Sequence, residues 1–220
     1  AIIGSLVSIV IVKQLFGGLG QNFANPAIVG RIVLMLSFTT QMTTWVKPFW
    51  YKTADLATSP TPLSSSIEKL PSYLDLFLGT TGGCLGETCA LALLIGGLYL
   101  AFTGIISLST PVSFLGTLAL LSLIGGADPL YQILSGGAMI GAFFMATDYA
   151  TTPVTNKGKI IFGIGCGTIT FLIRQFGSYP EGVSFSILLM NILTPYIDML
   201  TKTKPLGAKK AAKKEARKNG

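Results

Sequence analysis

The feature that most limits the fold is a succession of apolar runs nearly free of charge. Several are about 17–22 residues long, enough to cross a hydrocarbon core of ~30 Å. The runs fall at 1–13, 27–46, 84–103, 111–125, 130–147, 159–175 and 183–200. Only 11% of the 220 residues are charged, against roughly 25% in a soluble domain. A soluble all-helical core would need a polar shell, and this chain lacks the residues to build one. The pattern predicts an all-α polytopic membrane protein with about seven transmembrane helices. The fourth and fifth runs are short, and the glycines of "LIGGADP" and "LSGGAM" interrupt them, so broken or tilted helices are expected there. The 26 glycines suit close helix packing. The chain opens "AIIGSLVSIV", without methionine or a basic leader. It reads as a helix entered partway rather than a signal peptide, and the native protein is expected to begin earlier.

The distribution of charge sets an orientation. Half of the 16 basic residues follow Thr201: Lys202, Lys204, Lys209, Lys210, Lys213, Lys214, Arg217 and Lys218, opposed only by Glu215. Such a tail is expected to be a cytoplasmic anchor rather than a nucleic-acid-binding arm. Counting back through the runs puts Lys157 and Lys159 inside and the polar stretch 47–80 outside. Lys47, Lys52, Lys69 and Arg174 oppose this assignment weakly. Histidine is absent, and Cys84, Cys89 and Cys166 form no C-x-x-C pattern. A zinc or iron–sulfur centre built by this chain alone is not expected, nor is dinucleotide binding, since no G-x-G-x-x-G follows a strand.

Within 47–80 lies "DLATSPTPL", Asp55 to Leu63, where Pro60 and Pro62 flank Thr61 and exclude regular helix. Taken alone it is an ordinary Pro/Ser/Thr-rich connector, or an extended segment offering a hydroxyl. Four further motifs stand out: "FGGLGQNFANPAIVGR", "GGCLGETCALALLIGG", "GAFFMATDYATTPVTNKGKIIFGIGCG" and "YPEGVSFSILLMNILTPYID". In this order they resemble the Rnf-complex RnfD family, which includes the NqrB components of sodium-pumping NADH:quinone oxidoreductases. The resemblance covers nearly all of 14–200. The family carries a D-x-x-S/T-G-A-T-P-L type sequence whose last threonine is esterified to the phosphate of FMN. Laid on this chain, the resemblance implies Asp55 at the first position, Thr58 at the S/T position and Thr61 as the acceptor. Ser59 and Pro60 depart from the family's glycine and alanine.

The other motifs carry two readings each. Asn22 and Asn25 sit at a helix entrance. Asn25 before Pro26 is a good N-cap, while the resemblance implies a second, noncovalent flavin (riboflavin or FMN) near both amides. The family usually has phenylalanine where this chain has Ala24. Glu87 begins a span, where a carboxylate suits the helix dipole; with Thr88 and Cys89 it could instead floor a flavin site or serve an ion pathway. Asp148 ends a span, against the dipole, and so asks for a partner such as Lys157 or Lys159; a proton or sodium relay is the alternative. Asp128 and Asp198 read as caps or ion-pair partners, Arg174 as a snorkelling cation, and "YPEG" with Glu181 as a turn. Gly136–Gly137 and Gly163, Gly165 and Gly167 read as close-packing faces.

The resemblance implies a membrane flavoprotein subunit of an ion-translocating ferredoxin:NAD oxidoreductase, not catalytic alone. Its partners would be other membrane subunits, an FMN-bearing subunit and iron–sulfur subunits. It also implies two inverted five-helix repeats, resembling urea-transporter-like channels. Here 1–46 would supply the last two helices of the first repeat, 47–80 the flavin loop, 81–201 the second repeat and 202–220 the tail. A bacterial or archaeal cytoplasmic membrane follows. The rivals are a channel or secondary transporter without a redox cofactor, and a purely structural scaffold.

Overall fold

The computed structural model describes residues 1–46, 58–59, 63, 71–84, 86–177 and 182–203. Apart from one two-residue ladder, the described chain is helical. Helix α1 (Ile2–Leu6) runs on as a π-helix, Val7–Gln14. Helix α2 (Pro26–Ser37) starts at Asn25, whose Oδ1 accepts from the Ala27 and Ile28 amides with proline at the first position. Phe38 ends it, and the short α3 (Thr39–Thr43) follows. Strands β1 (Trp45–Val46) and β2 (Thr58–Ser59) pair antiparallel, Trp45 opposite Ser59 and Val46 opposite Thr58. The run expected at 27–46 is therefore a helix, a break and a strand rather than one span.

Helix α4 (Tyr73–Leu78) rises inside the stretch expected to be polar loop. A capping box starts it, Ser72 accepting from the Asp75 amide and Asp75 reaching back to Ser72. Next come α5 (Ala90–Phe102), α6 (Ser109–Ile124), α7 (Pro129–Leu134) and α8 (Ala138–Ile140), the last continued by a π turn, Gly141–Met145. Two longer helices close the fold, α9 (Asn156–Phe176) and α10 (Val183–Thr201). The fourth run is an unbroken helix, with Gly125 and Gly126 lying beyond its end, while the third is broken: its helix begins only at Ala90.

Among the described residues, helices α9 and α10 are the two long and apolar enough to cross a membrane; the other apolar helices are shorter. Between α2, α6, α8, α9 and α10 sits a core that includes Ile28, Phe114, Leu118, Ala142, Phe162 and Ile187. Outside it the surface is apolar too. Phe102, Leu123, Phe176 and Leu200 are each 70% exposed or more, as a lipid-facing surface requires.

The glycines of α9 act as close-packing faces. A Cβ on Gly167 would lie 2.7 Å from the Phe114 carbonyl oxygen, and one on Gly163 would lie 2.8 Å from that of Thr110, so α6 and α9 approach backbone to backbone. Gly165 faces Met190 of α10 instead.

Candidate functional site

Two interrupted helices lie side by side. One is α4, the irregular residues 79–84 and 86–89, then α5; the other is α7, an irregular stretch over 135–137, then α8. Helix α4 packs on α7, and α5 on α8, so the two interruptions meet. At the outer ends of α4 and α7, Tyr73 Oη donates to Asp128 Oδ2. Asp128 also caps α7 through Oδ1, accepting from the Leu130 and Tyr131 amides at 2.9 and 3.2 Å. The Tyr73 hydroxyl, followed by the backbone amides, holds the Asp128 carboxyl below its usual range. The same bond raises Tyr73. Asp75 is lowered by hydrogen bonds from Ser72 and Thr80.

A helix that stops inside a protein exposes carbonyls without intrahelical partners. Arg174 of α9 meets those of α7: Nη1 donates to Gln132 O at 2.6 Å and to Gln132 Oε1 at 3.0 Å, and Nη2 to Ser135 O at 3.1 Å. The snorkelling role expected for Arg174 is thus replaced by an inward one, because a cation at a helix C-terminus satisfies both the carbonyls and the dipole.

Glu87 lies in the first interruption and is 5% exposed. Its Oε1 accepts from the Cys84 amide at 3.1 Å, and its Oε2 stands 3.6 Å from Arg31 Nη2. Arg31 also donates to Cys84 Sγ at 3.3 Å. A Cβ on Gly137 would come within 3.3 Å of Glu87 Oε2, so the second interruption gives the carboxylate its room. Among the described residues, Glu87 Oε2 and Ser135 Oγ are buried without a hydrogen-bond partner. A buried carboxylate with one oxygen in reserve can hold a small cation. Thr88 turns its methyl toward Gly83. Helix α5 begins after Cys89, so Glu87 stands ahead of the helix rather than in its first turn.

At the start of α2, Asn22 Nδ2 donates to Ala24 O at 2.9 Å, and Asn25 Oδ1 is used by its cap. Asn191 of α10 is buried. With its amide oriented to satisfy both neighbours, its nitrogen donates to Thr151 O and its oxygen accepts from the Asn25 amide, each at 3.2 Å. Among the described residues, Asn22 Oδ1 and Asn25 Nδ2 make no hydrogen bond. One acceptor and one donor remain there, a set that fits the imide edge of an isoalloxazine ring.

Asp148 does not pair with Lys157 or Lys159. Its Oδ2 accepts from Thr151 Oγ1 at 2.9 Å and its Oδ1 from the Ala150 amide, because the chain turns right after the π turn Gly141–Met145. Asp198 accepts from the Val154 amide. The structure does not bring Asp148 into contact with Glu87. Asp55 and Thr61 lie outside the described residues, as does Glu181, and of Thr58 only the strand pairing is described. Leu63, two residues after Thr61, is described: a Cβ on Gly136 would lie 2.7 Å from its Cδ1. Sequence reasoning missed Arg31, Asn191 and the inward turn of Arg174. The available signal for Arg31 was an arginine inside an apolar run, which asks for a buried partner.

A model of the NQR2, RnfD, RnfE family matches residues 1–207. Over 222 residues the chain is 52% identical to the RnfD-type component of the Na(+)-translocating ferredoxin:NAD(+) oxidoreductase complex of Acetobacterium woodii, covering 98% of this chain and 69% of that protein. It is 44% identical to the corresponding component of the proton-translocating ferredoxin:NAD(+) oxidoreductase complex of Clostridium ljungdahlii, with 94% and 68% covered. It is 38% identical to that of the ion-translocating oxidoreductase complex of Stutzerimonas stutzeri, with 94% and 70% covered.

Proposed function

Because the chain belongs to the NQR2, RnfD, RnfE family, we propose that it is the RnfD-type membrane subunit of an ion-translocating ferredoxin:NAD oxidoreductase complex, relaying electrons through bound flavin. The observation that carries this is the 52% identity to the Acetobacterium woodii protein over 98% of the chain. The partners are the other subunits of that complex, including an FMN-bearing subunit and iron–sulfur subunits. The chain is not catalytic alone. It contributes to a ten-helix inverted-repeat fold in a bacterial or archaeal cytoplasmic membrane, with the Thr61 loop outside and the basic tail inside.

Thr61 holds FMN through a phosphoester, with Asp55 and Thr58 as the flanking recognition positions. A second, noncovalent flavin, riboflavin or FMN, lies by Asn22 and Asn25. The donor and acceptor that Asn25 Nδ2 and Asn22 Oδ1 have in reserve support that placement. When bound, these groups supply electron carriage across the membrane. The chain's own residues orient the ring edge, through Asn22 and Asn25, and present a buried carboxylate, through Glu87 with Arg31 and Thr88 beside it. Glu87 takes up the coupled Na+ or H+ at Oε2 and releases it as Arg31 competes for the same oxygen. Asp148 is the second acid of the ion path, beyond the π turn that continues α8.

Denaturing-gel flavin fluorescence tests the assignment. Thr61→Ala abolishes the signal while the subunit still inserts, and Thr58→Ala retains at least part of it. Asn22→Leu with Asn25→Leu lowers acid-extractable flavin while the covalent signal stays. Undiminished fluorescence in Thr61→Ala would exclude the attachment site. Absence of flavin from the wild-type subunit would favour the channel or transporter reading, which the two interrupted helices also suit.

A further inference from the structure

We propose that the consecutive glycines Gly136 and Gly137 are positioning residues that couple the flavin-bearing segment to the Glu87 carboxylate; this rests on the reading that Thr61 carries the flavin. Each glycine faces one of the two. Gly136 has φ +59 and leaves room for Leu63, whose Cδ1 would be 2.7 Å from an added Cβ. Leu63 is two residues from Thr61 in the chain. Gly137 borders the carboxylate: its added Cβ would lie 3.3 Å from Glu87 Oε2, a buried oxygen without a hydrogen-bond partner. One peptide unit therefore separates the contact with the flavin segment from the contact with the ion-binding carboxylate.

The surroundings make that unit the part that can shift. On one side α7 is held by the Asp128 cap, the Tyr73 tie and the Arg174 clamp. On the other, Ala138 and Ala142 are locked in the core. Between these fixed ends Gly136 alone lies between the two ladders, since Ser135 N still donates to Tyr131 O and Gly137 O accepts from Gly141 N. A displacement of Leu63 moves Gly136, and with it the wall that Gly137 presents to Glu87. An added methyl on Gly136 would meet Arg174 Nη2 only at 3.4 Å, an ordinary contact, so Leu63 is the group that must give way.

The chain carries its own reporters. Cys84 is bonded to both members of the ion pair, through its amide to Glu87 and its sulfur to Arg31. Cys166 is fully buried in the main core. In the purified complex, N-ethylmaleimide labelling of each cysteine is followed by mass spectrometry. Gly136→Ala should accelerate Cys84 labelling roughly 5- to 30-fold, the span set by the strain of a non-glycine residue in the left-handed region, with Cys166 unchanged. The anisotropy of the covalent flavin should fall in the same sample. Gly126→Ala is the matched control, since Gly126 has φ +74 with nothing within 4 Å of an added Cβ; it should do neither. Leu63→Ala removes the contact without backbone strain and should also accelerate Cys84, so the test survives if Gly136→Ala fails to fold. Unchanged Cys84 labelling in Leu63→Ala, or Cys84 and Cys166 rising together, overturns the coupling. Fluorescence surviving in Thr61→Ala overturns the attachment site alone, and the cysteine result still reports on Leu63 and Glu87.

Discussion

Gly163 and Gly167 bring the backbone of α9 against that of α6, whereas Gly136 and Gly137 let a helix stop. The same residue type serves two opposite ends. Along α9 it sits at helical spacing on one face, and the ladder of hydrogen bonds continues past it through 21 residues. Between α7 and α8 the two glycines are adjacent, one with positive φ, and the ladder ends. The continuous pair buries Phe114, Leu118, Phe162 and Cys166. The interrupted pair gathers Glu87, Arg31 and the Arg174 clamp. Within lipid, backbone that leaves a helix must find partners from protein. The end of α7 finds them in Arg174 of α9, whereas the end of α4 finds them in its own chain, the Gly79 and Thr80 amides donating to Asp75 O. Part of what an interrupted helix requires is therefore carried by a helix that is not itself interrupted.

The contrast is broken most severely at the continuous pair. Gly167→Leu should separate α6 from α9, since even a Cβ would lie 2.7 Å from a backbone oxygen and 2.9 Å from Thr117 Cβ. Overpacking against backbone, which has no rotamer to relieve it, should cost about 3 kcal/mol or more. Thermal melts of the detergent-solubilised subunit should show it as the least stable variant, and a melt like wild type would show that the interface is looser than described. A smaller effect is expected in the interrupted pair. Arg31→Met leaves Glu87 buried without its counter-ion, for a loss of about 2 kcal/mol given the partial exposure of Arg31. Adding Glu87→Gln should recover most of it, and a double variant no more stable than Arg31→Met would mean the two side chains are not coupled.

The smallest effect belongs to the exposed tie between α4 and α7. Asp128 is lowered, so its contribution is complete above pH 3.8 and is lost as pH falls through the depressed value. Tyr73 is raised, so its contribution is complete below pH 10.0 and is lost as pH rises through the elevated value. Melting temperatures should therefore fall off at both extremes. Tyr73→Phe should flatten the alkaline decline and weaken the acid one. An unchanged alkaline limb would assign that limb to another group.

What could be read from the sequence was local. Asn25 and Asp128, each before a proline, were legible as caps and are caps. The glycines of "LSGGAM" announced an interruption, and the spacing of Gly163 and Gly167 announced a packing face. Helix α4 was not legible, because six residues are too few for a helical period to show. Its S-x-x-D start was the available signal. The third run looked continuous because the residues of 84–89 are mostly apolar or small, and only the structure shows that Cys84 and residues 86–89 lie outside the helix. Pairs such as Arg31 with Glu87, Arg174 with Gln132, and Asn191 with Asn25 join residues distant in sequence, and no local pattern encodes them. Asp148 misled for the converse reason. Its partners, Ala150 and Thr151, are so near in the chain that a search for an opposite charge passed over them.

Arg174 lies near the end of α9, whose 21 residues make a rod of about 31 Å, close to the ~30 Å thickness of a hydrocarbon core. The guanidinium that terminates α7 is thus mounted on one of the two described helices long enough to match the bilayer. The depth at which α7 gives way to irregular chain is measured from the membrane boundary by α9, like a mark on a gauge. A long helix answers a thinner bilayer by tilting. Tilting α9 would carry Arg174 sideways and draw the end of α7 with it, so lipid thickness reaches the interrupted region through a helix that lies outside it.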